Sequence, residues 1–402
     1  MRIFKFFAVF IITAIILFGF VIGLNWNSFN TFFDNRTALM EGNEWVSKST
    51  SLKGLSEFMG ANPEHASLSS RVITAPDSAI AFKPDTHRVM GTLQNFFILT
   101  AYAIEIDEGS VNPESLILWD DISQYQLTNV EESAHNNAFE TAFEREWISE
   151  GSITINNALR LLAETGDFAI ADYLWWNIEQ SRWHELSGEL NLQETEMPLP
   201  FSGLYLAIST TIQGKSISQI INEHNQTAPE EWRSHVVSLS EDFVLNEQRR
   251  KELTNLLNEH RLGNTFIEER DGMIVFPKST TSELTGLTEK LVRNELINEN
   301  ISRLIKEWMR WPMNVQRGIT ADFTDYGAIY DNRMGLMNGI NFGTSVYTGD
   351  TTVQALFLDQ LPIGFWFHAS GGLMHQDFMQ RMIIDPALIK QMKSEIRNPL
   401  ER

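Results

Sequence analysis

Strand-forming stretches lie near the start of this chain and again near its end, and almost everything between them is helical in pattern. A helical pattern over Trp45–Met59 comes first. Ser67–Ala75 and Ser78–Phe82 then alternate like strands, with Ala75-Pro76-Asp77 as the turn signal of a hairpin. Gly91–Asp107 is apolar throughout and long enough for a buried helix, and Gly109 supplies its stop. Helical periodicity continues in Asn156–Glu164, Asp167–Gln180, Glu230–Leu262 and Ser282–Met309. Strand character returns in Arg333–Tyr347 and Thr352–Leu358, and a helix over Pro386–Ile396, capped by Asp385, closes the chain. Strands so far apart in sequence form one sheet only if both chain ends contribute to it. The order therefore predicts an α+β (α/β) domain spanning 45–402, with a sheet assembled from both ends and a helical block inserted between. No period of 20–50 residues recurs, which excludes a repeat architecture.

The first 24 residues are of another kind. Arg2 and Lys5 precede Phe6–Leu24, nineteen residues without a charge. At a rise of ~1.5 Å per residue this stretch spans the roughly 30 Å core of a bilayer. Basic residues before it and Asp34, Glu41 and Glu44 after it place the bulk of the chain outside the cytoplasm. Residues 1–24 are thus expected to be a transmembrane anchor, with a cleaved signal as the alternative, and 25–44 a tether. The expected location is the cell membrane, single-pass, with a periplasmic domain, or secreted if the segment is cleaved.

The absence of cysteine removes disulfides, thiol nucleophiles and Cys-ligated zinc. With 31 Lys+Arg against 52 Asp+Glu the net charge is −21, which disfavours a nucleic-acid partner, because phosphate is held by basic residues. None of the nine His belongs to an H-E-x-x-H helix, and no Gly-x-Ser-x-Gly elbow or P-loop is present. No metal and no cofactor is expected. Trp175 and Trp176, near Trp183, could stack on sugars but fit core filling better.

Several segments in the right order carry a family resemblance. They are Asn62-Pro63-Glu64, Ser67-Leu68, the buried helix ending in Gly109-Ser110-Val111-Asn112-Pro113, Ile155–Leu174, Trp308–Met313, Thr352–Phe365 and His375–Pro386. Together they resemble the serine β-lactamase and penicillin-binding transpeptidase-like superfamily, in particular its secreted class-A-like serine hydrolases. The resemblance spans about residues 46–395. It implies that the sheet is antiparallel. It also implies three catalytic motifs, and the sequence departs from each.

The resemblance puts Ser-x-x-Lys at the start of the buried helix, where Lys takes the Ser proton. Here Thr92-Leu93-Gln94-Asn95 falls on it, with Thr92 at the nucleophile position and Asn95 at the base position. A Thr hydroxyl can attack a carbonyl, but an Asn amide has no titratable group to accept its proton. A slip of one residue gives Gly91 and Gln94, which is no better. The plainer reading of Thr92, and the favoured one, is a helix-start residue that caps backbone amides. The second motif, Ser-x-Asn, falls on Gly166-Asp167-Phe168, of which Asp167 alone is polar and better suits an N-cap of the following helix. The third, Lys-Thr/Ser-Gly, falls on Arg333-Met334-Gly335. The resemblance implies a cation there that holds a substrate carboxylate, and Arg can do so bidentately. A surface Arg beside a turn Gly is the plainer reading.

These departures give the expectation of a degenerate active site on a retained fold. The domain would then bind a peptidoglycan-like peptide, a β-lactam or an envelope protein without efficient acyl transfer. A working hydrolase (β-lactamase or D-Ala-D-Ala peptidase-like) would need Thr92 as nucleophile and a base recruited elsewhere, such as a carboxylate on a neighbouring loop. A structural envelope protein would have its cleft plugged by Phe168, Met334 and Leu336.

Overall fold

A computed structural model describes residues 35–49, 52–311, 332–345 and 347–397. The apolar stretch 6–24 lies outside the described residues, and no described helix is long and apolar enough to cross a membrane. Nine strands are described: β1 Ala66–Val72, β2 Ala75–Phe82, β3 Arg88–Val89, β4 Leu116–Leu118, β5 Ser152–Thr154, β6 Lys278–Ser279, β7 Asn332–Met334, β8 Gly339–Thr344 and β9 Thr351–Leu358. Five of them form an antiparallel sheet in the order β2-β1-β9-β8-β7, so the two chain ends meet at the β1/β9 pair. The β3/β6 and β4/β5 ladders are short additions that the sequence pattern did not signal.

The sheet is the middle layer of three, and alternation along β9 shows why. Val353, Ala355 and Phe357 point into one core, shared with the helical block, while Leu356 and Leu358 point into another. That second core holds Leu55 and Phe58 from the Leu52–Ala61 helix and Phe365, Phe378 and Met392 from the last three helices. The domain is therefore interlocked by its ends, with the Leu52–Ala61 helix packed on the Pro386–Arg397 helix. Arg88, buried at 4% exposure, fastens the start of the sheet. Its Nε donates to Ser67 Oγ at 2.7 Å and its Nη2 to the carbonyls of Pro63 and Ala66 at 3.0 and 2.9 Å.

Several local expectations are corrected. The hairpin turns at Ile73-Thr74, because Val72 pairs with Ala75, and Pro76 lies within β2. Pro is tolerated there because β2 is an edge strand, where a missing N–H breaks no ladder. The Trp45–Met59 pattern is two helices, Asn43–Lys48 and Leu52–Ala61. The described part of the expected tether packs onto the domain. Asn35 Oδ1 accepts the Phe266 N–H at 2.6 Å, and Glu41 pairs with Arg270 at 2.9 Å. Two helices before the last, Ile363–Gly371 and Met374–Ile384, were not expected as helices.

The buried helix is present over Asn95–Asp107, preceded by a 3-10 turn at Gly91–Gln94. Every residue from Asn95 to Ile104 is buried, as suits a helix that is apolar on all sides. The helix Ile155–Thr165 ends at Gly166 in the left-handed region (φ +65), and Asp167 caps the next, Phe168–Trp176. Trp175 and Trp183 are core residues, stacked at 5.7 Å, while Trp176 donates to Ser240 Oγ at 2.9 Å.

Candidate functional site

Thr92, Gly166 and the turn that follows β7 meet. Thr92 sits on the 3-10 turn ahead of the buried helix, and its Oγ1 accepts the backbone N–H of Leu336 at 2.9 Å. Leu336 belongs to the β7–β8 turn, so the hydroxyl caps the third-motif turn instead of its own helix. Gly166 closes the triangle: a Cβ built on it would lie 3.1 Å from Thr92 Cγ2 and 3.5 Å from Leu336 Cγ. Positive φ and this close approach together require glycine there.

Beside this triangle opens a cavity of about 940 Å³. Thr92, Leu336 and Phe168 line it, with Phe201, Tyr205 and Phe276 forming an aromatic wall. Phe168 stacks on Phe201 at 4.1 Å, and Tyr205 meets Phe276 edge-on at 5.4 Å. Leu336 covers Thr92 but does not fill the cavity, and Met334 is buried in the core behind it.

Of the expected site residues, Thr92 alone lines the cavity. Asn95 is fully buried, and among the described residues neither of its side-chain atoms has a hydrogen-bond partner. Asp167 is also fully buried; its Oδ1 caps Ala169 N at 2.7 Å and its Oδ2 lies 2.7 Å from His135 Nδ1. It is thus committed to its helix and to a histidine, and neither Asp167 nor His135 lines the cavity. Arg333 departs furthest from expectation. It pairs with Asn341, which pairs with Gln354, and these occupy one sheet face, whereas Met334, Ile340 and Ala355 occupy the face toward the helical block. Strand alternation therefore turns Arg333 toward the C-terminal helices, at 2% exposure, where its Nη2 donates to Leu336 O at 2.8 Å. Its charge, after burial, is the next cause pushing His375 down to about 3. Gly335 (φ +92) makes the β7–β8 turn, since a Cβ there would meet Asn338 O at 2.0 Å.

The cavity also holds two carboxylates that the sequence reading did not single out, Glu131 and Glu269. Burial first, then the charge of Glu131, raises Glu269 to about 7, while Arg261 pulls the other way. Enclosure by protein likewise raises Glu131, whose own backbone is left-handed (φ +49). They come from segments 138 positions apart, so no local motif could have paired them. Among the described residues no group of three His, Cys, Asp or Glu is placed to hold a metal ion.

No family model matches the chain, and no curated protein matches it. Several solved structures are similar to it. A β-lactamase from Sphaerobacter thermophilus is 9% identical, with 82% of this chain and 95% of that one covered and a TM-score of 0.46. One from Burkholderia vietnamiensis is 9% identical over 81% and 96%, with a TM-score of 0.46. A class A β-lactamase from Mycobacterium abscessus is 11% identical over 81% and 99%, with a TM-score of 0.44.

Proposed function

We propose that this chain is a membrane-anchored, extracytoplasmic β-lactamase-like protein whose Thr92 cavity binds a peptide-like or cell-wall ligand without efficient acyl transfer. One observation carries the reading: the hydroxyl at the nucleophile position accepts the Leu336 N–H, and the residue at the base position is a buried amide. An Asn amide takes up no proton, so Thr92 lacks the activation that a nucleophilic hydroxyl requires. The open aromatic cavity supports binding over a purely structural role. The test is titration of the full-length chain with an acyl-D-Ala-D-Ala peptide while free D-Ala is assayed. Saturable binding with no release of D-Ala is expected; release that is lost on Thr92→Ala overturns it.

A second reading has its own support. Glu269, raised to about 7 in the cavity that Thr92 lines, has the proton affinity a general base uses near neutral pH. The chain would then be a hydrolase with Thr92 as nucleophile and a recruited carboxylate. Hydrolysis of nitrocefin that disappears in both Thr92→Ala and Glu269→Gln would favour it.

A further inference from the structure

Outside the Thr92 cavity lining, two helix residues and one helix N-cap form a continuous hydrogen-bond chain. Ser123, the last residue of the Trp119–Ser123 helix, has its Oγ 3.0 Å from His135 Nε2. His135, in the first turn of the Glu132–Glu144 helix, has its Nδ1 2.7 Å from Asp167 Oδ2. We infer that Ser123, His135 and Asp167 form a second, nucleophilic serine site that takes esters or thioesters of small polar or anionic acyl groups.

The proton positions follow from the partners. Asp167 already accepts the Ala169 and Ile170 N–H groups on Oδ1, at 2.7 and 3.3 Å, as a carboxylate does. A carboxylate only accepts, so Nδ1 carries the imidazole hydrogen and Nε2 presents its lone pair to the Ser123 hydroxyl. This is the tautomer a general base needs. The ring is also held in plane by Trp119, stacked at 5.3 Å and 20°. His135 and Asp167 are buried at 8% and 0% exposure, but Ser123 is half-buried and borders a separate pocket of about 450 Å³. Arg250, Lys251 and Asn255 border the same pocket. Lys251 is paired with Glu247 at 2.7 Å; Arg250 donates to Val244 O through Nη1 and supplies the cation beside Ser123. That charge favours an anionic acyl group and a developing oxyanion.

In the reaction Ser123 Oγ bonds to the acyl carbon as its proton passes to His135 Nε2. Collapse breaks the bond to the leaving alcohol or thiol, which takes that proton. Water, deprotonated by His135, then attacks the acyl-serine and releases the acid, with the proton returned to Ser123. Ser123 and His135 touch the reacting atoms, and Asp167 is a positioning residue. The site does not depend on the Thr92 cavity: Gly166 faces Thr92, and its neighbour Asp167 faces His135.

The test is labelling of the folded full-length chain with a fluorophosphonate probe, the adduct being mapped by peptide mass spectrometry. An adduct on Ser123 is expected, absent in Ser123→Ala and retained in Thr92→Ala. His135→Gln should slow labelling at least ~1000-fold. Asp167→Asn keeps a good helix cap but presents the wrong tautomer, so labelling should fall about 10⁴-fold with the unfolding midpoint nearly unchanged. A folded chain that gives no Ser123 adduct at saturating probe overturns the inference. So does a labelling rate that is unchanged in Asp167→Asn or His135→Gln.

Discussion

Leu336 donates its backbone N–H to Thr92 Oγ1 at 2.9 Å, which joins the turn between β7 and β8 to the start of the buried helix across 244 positions of sequence. The bond uses the hydroxyl that a nucleophile would present, and it holds the wall of the cavity in place. Thr92→Val keeps the shape and removes the acceptor. It should lower stability by about 0.5–1.5 kcal/mol in urea denaturation. An unchanged midpoint would mean that the turn is held by other contacts.

Gly166 should tolerate no side chain. Its φ of +65 and the 3.1 Å approach of a built Cβ to Thr92 act together. Gly166→Ala is expected to destabilise by about 1–3 kcal/mol, read from thermal or urea unfolding. It should also push Thr92 and Leu336 apart and alter ligand affinity in the cavity. Wild-type stability in this variant would contradict the contact.

Asn95 is an amide buried with no partner for either side-chain atom among the described residues. Asn95→Leu, close in shape, should raise stability by about 1–3 kcal/mol, the desolvation penalty of an unpaired polar group. Loss of stability in that variant would show that the amide is hydrogen-bonded in solution.

Glu269 gives a pH prediction with a definite sign. Its carboxyl is raised to about 7 in the folded chain, above the ordinary value of 4.5, so folding takes up a proton between those two values. The stabilisation is full below pH 4.5 and is lost as pH rises toward 7. Glu269→Gln removes this loss. The variant should therefore gain stability relative to the parent between pH 5 and pH 8, measured as the difference in urea midpoints. A constant difference across that range would contradict the raised carboxyl.

Much of the fold was legible because patterning and chain order leave few alternatives. The alternation before Phe82, the uniformly apolar Gly91–Asp107 stretch and the late strands suffice for a sheet closed by both ends. The hairpin turn was misplaced because Pro76 reads as a turn residue until β2 is known to be an edge. In the site, the contacts of Thr92 with Gly166 and with Leu336 are seen only in the structure, since Leu336 lies one residue past the third motif. The direction of Arg333 was not legible either, because a shift of one residue in strand register puts a side chain on the opposite sheet face. Ser123, His135 and the Glu131/Glu269 pair were missed because only tertiary packing assembles them. One local signal existed. His135 shares a buried helix face with Ala138 and Ala142, and a histidine on such a face needs a hydrogen-bond partner.

The claim that the Thr92 cavity binds without acyl transfer is tested most directly by a covalent β-lactam probe. The folded full-length chain would be incubated with a fluorescent penicillin at high concentration and analysed by intact and peptide mass spectrometry. The account predicts no adduct on Thr92. A covalent adduct mapped to Thr92 and lost in Thr92→Ala would contradict it.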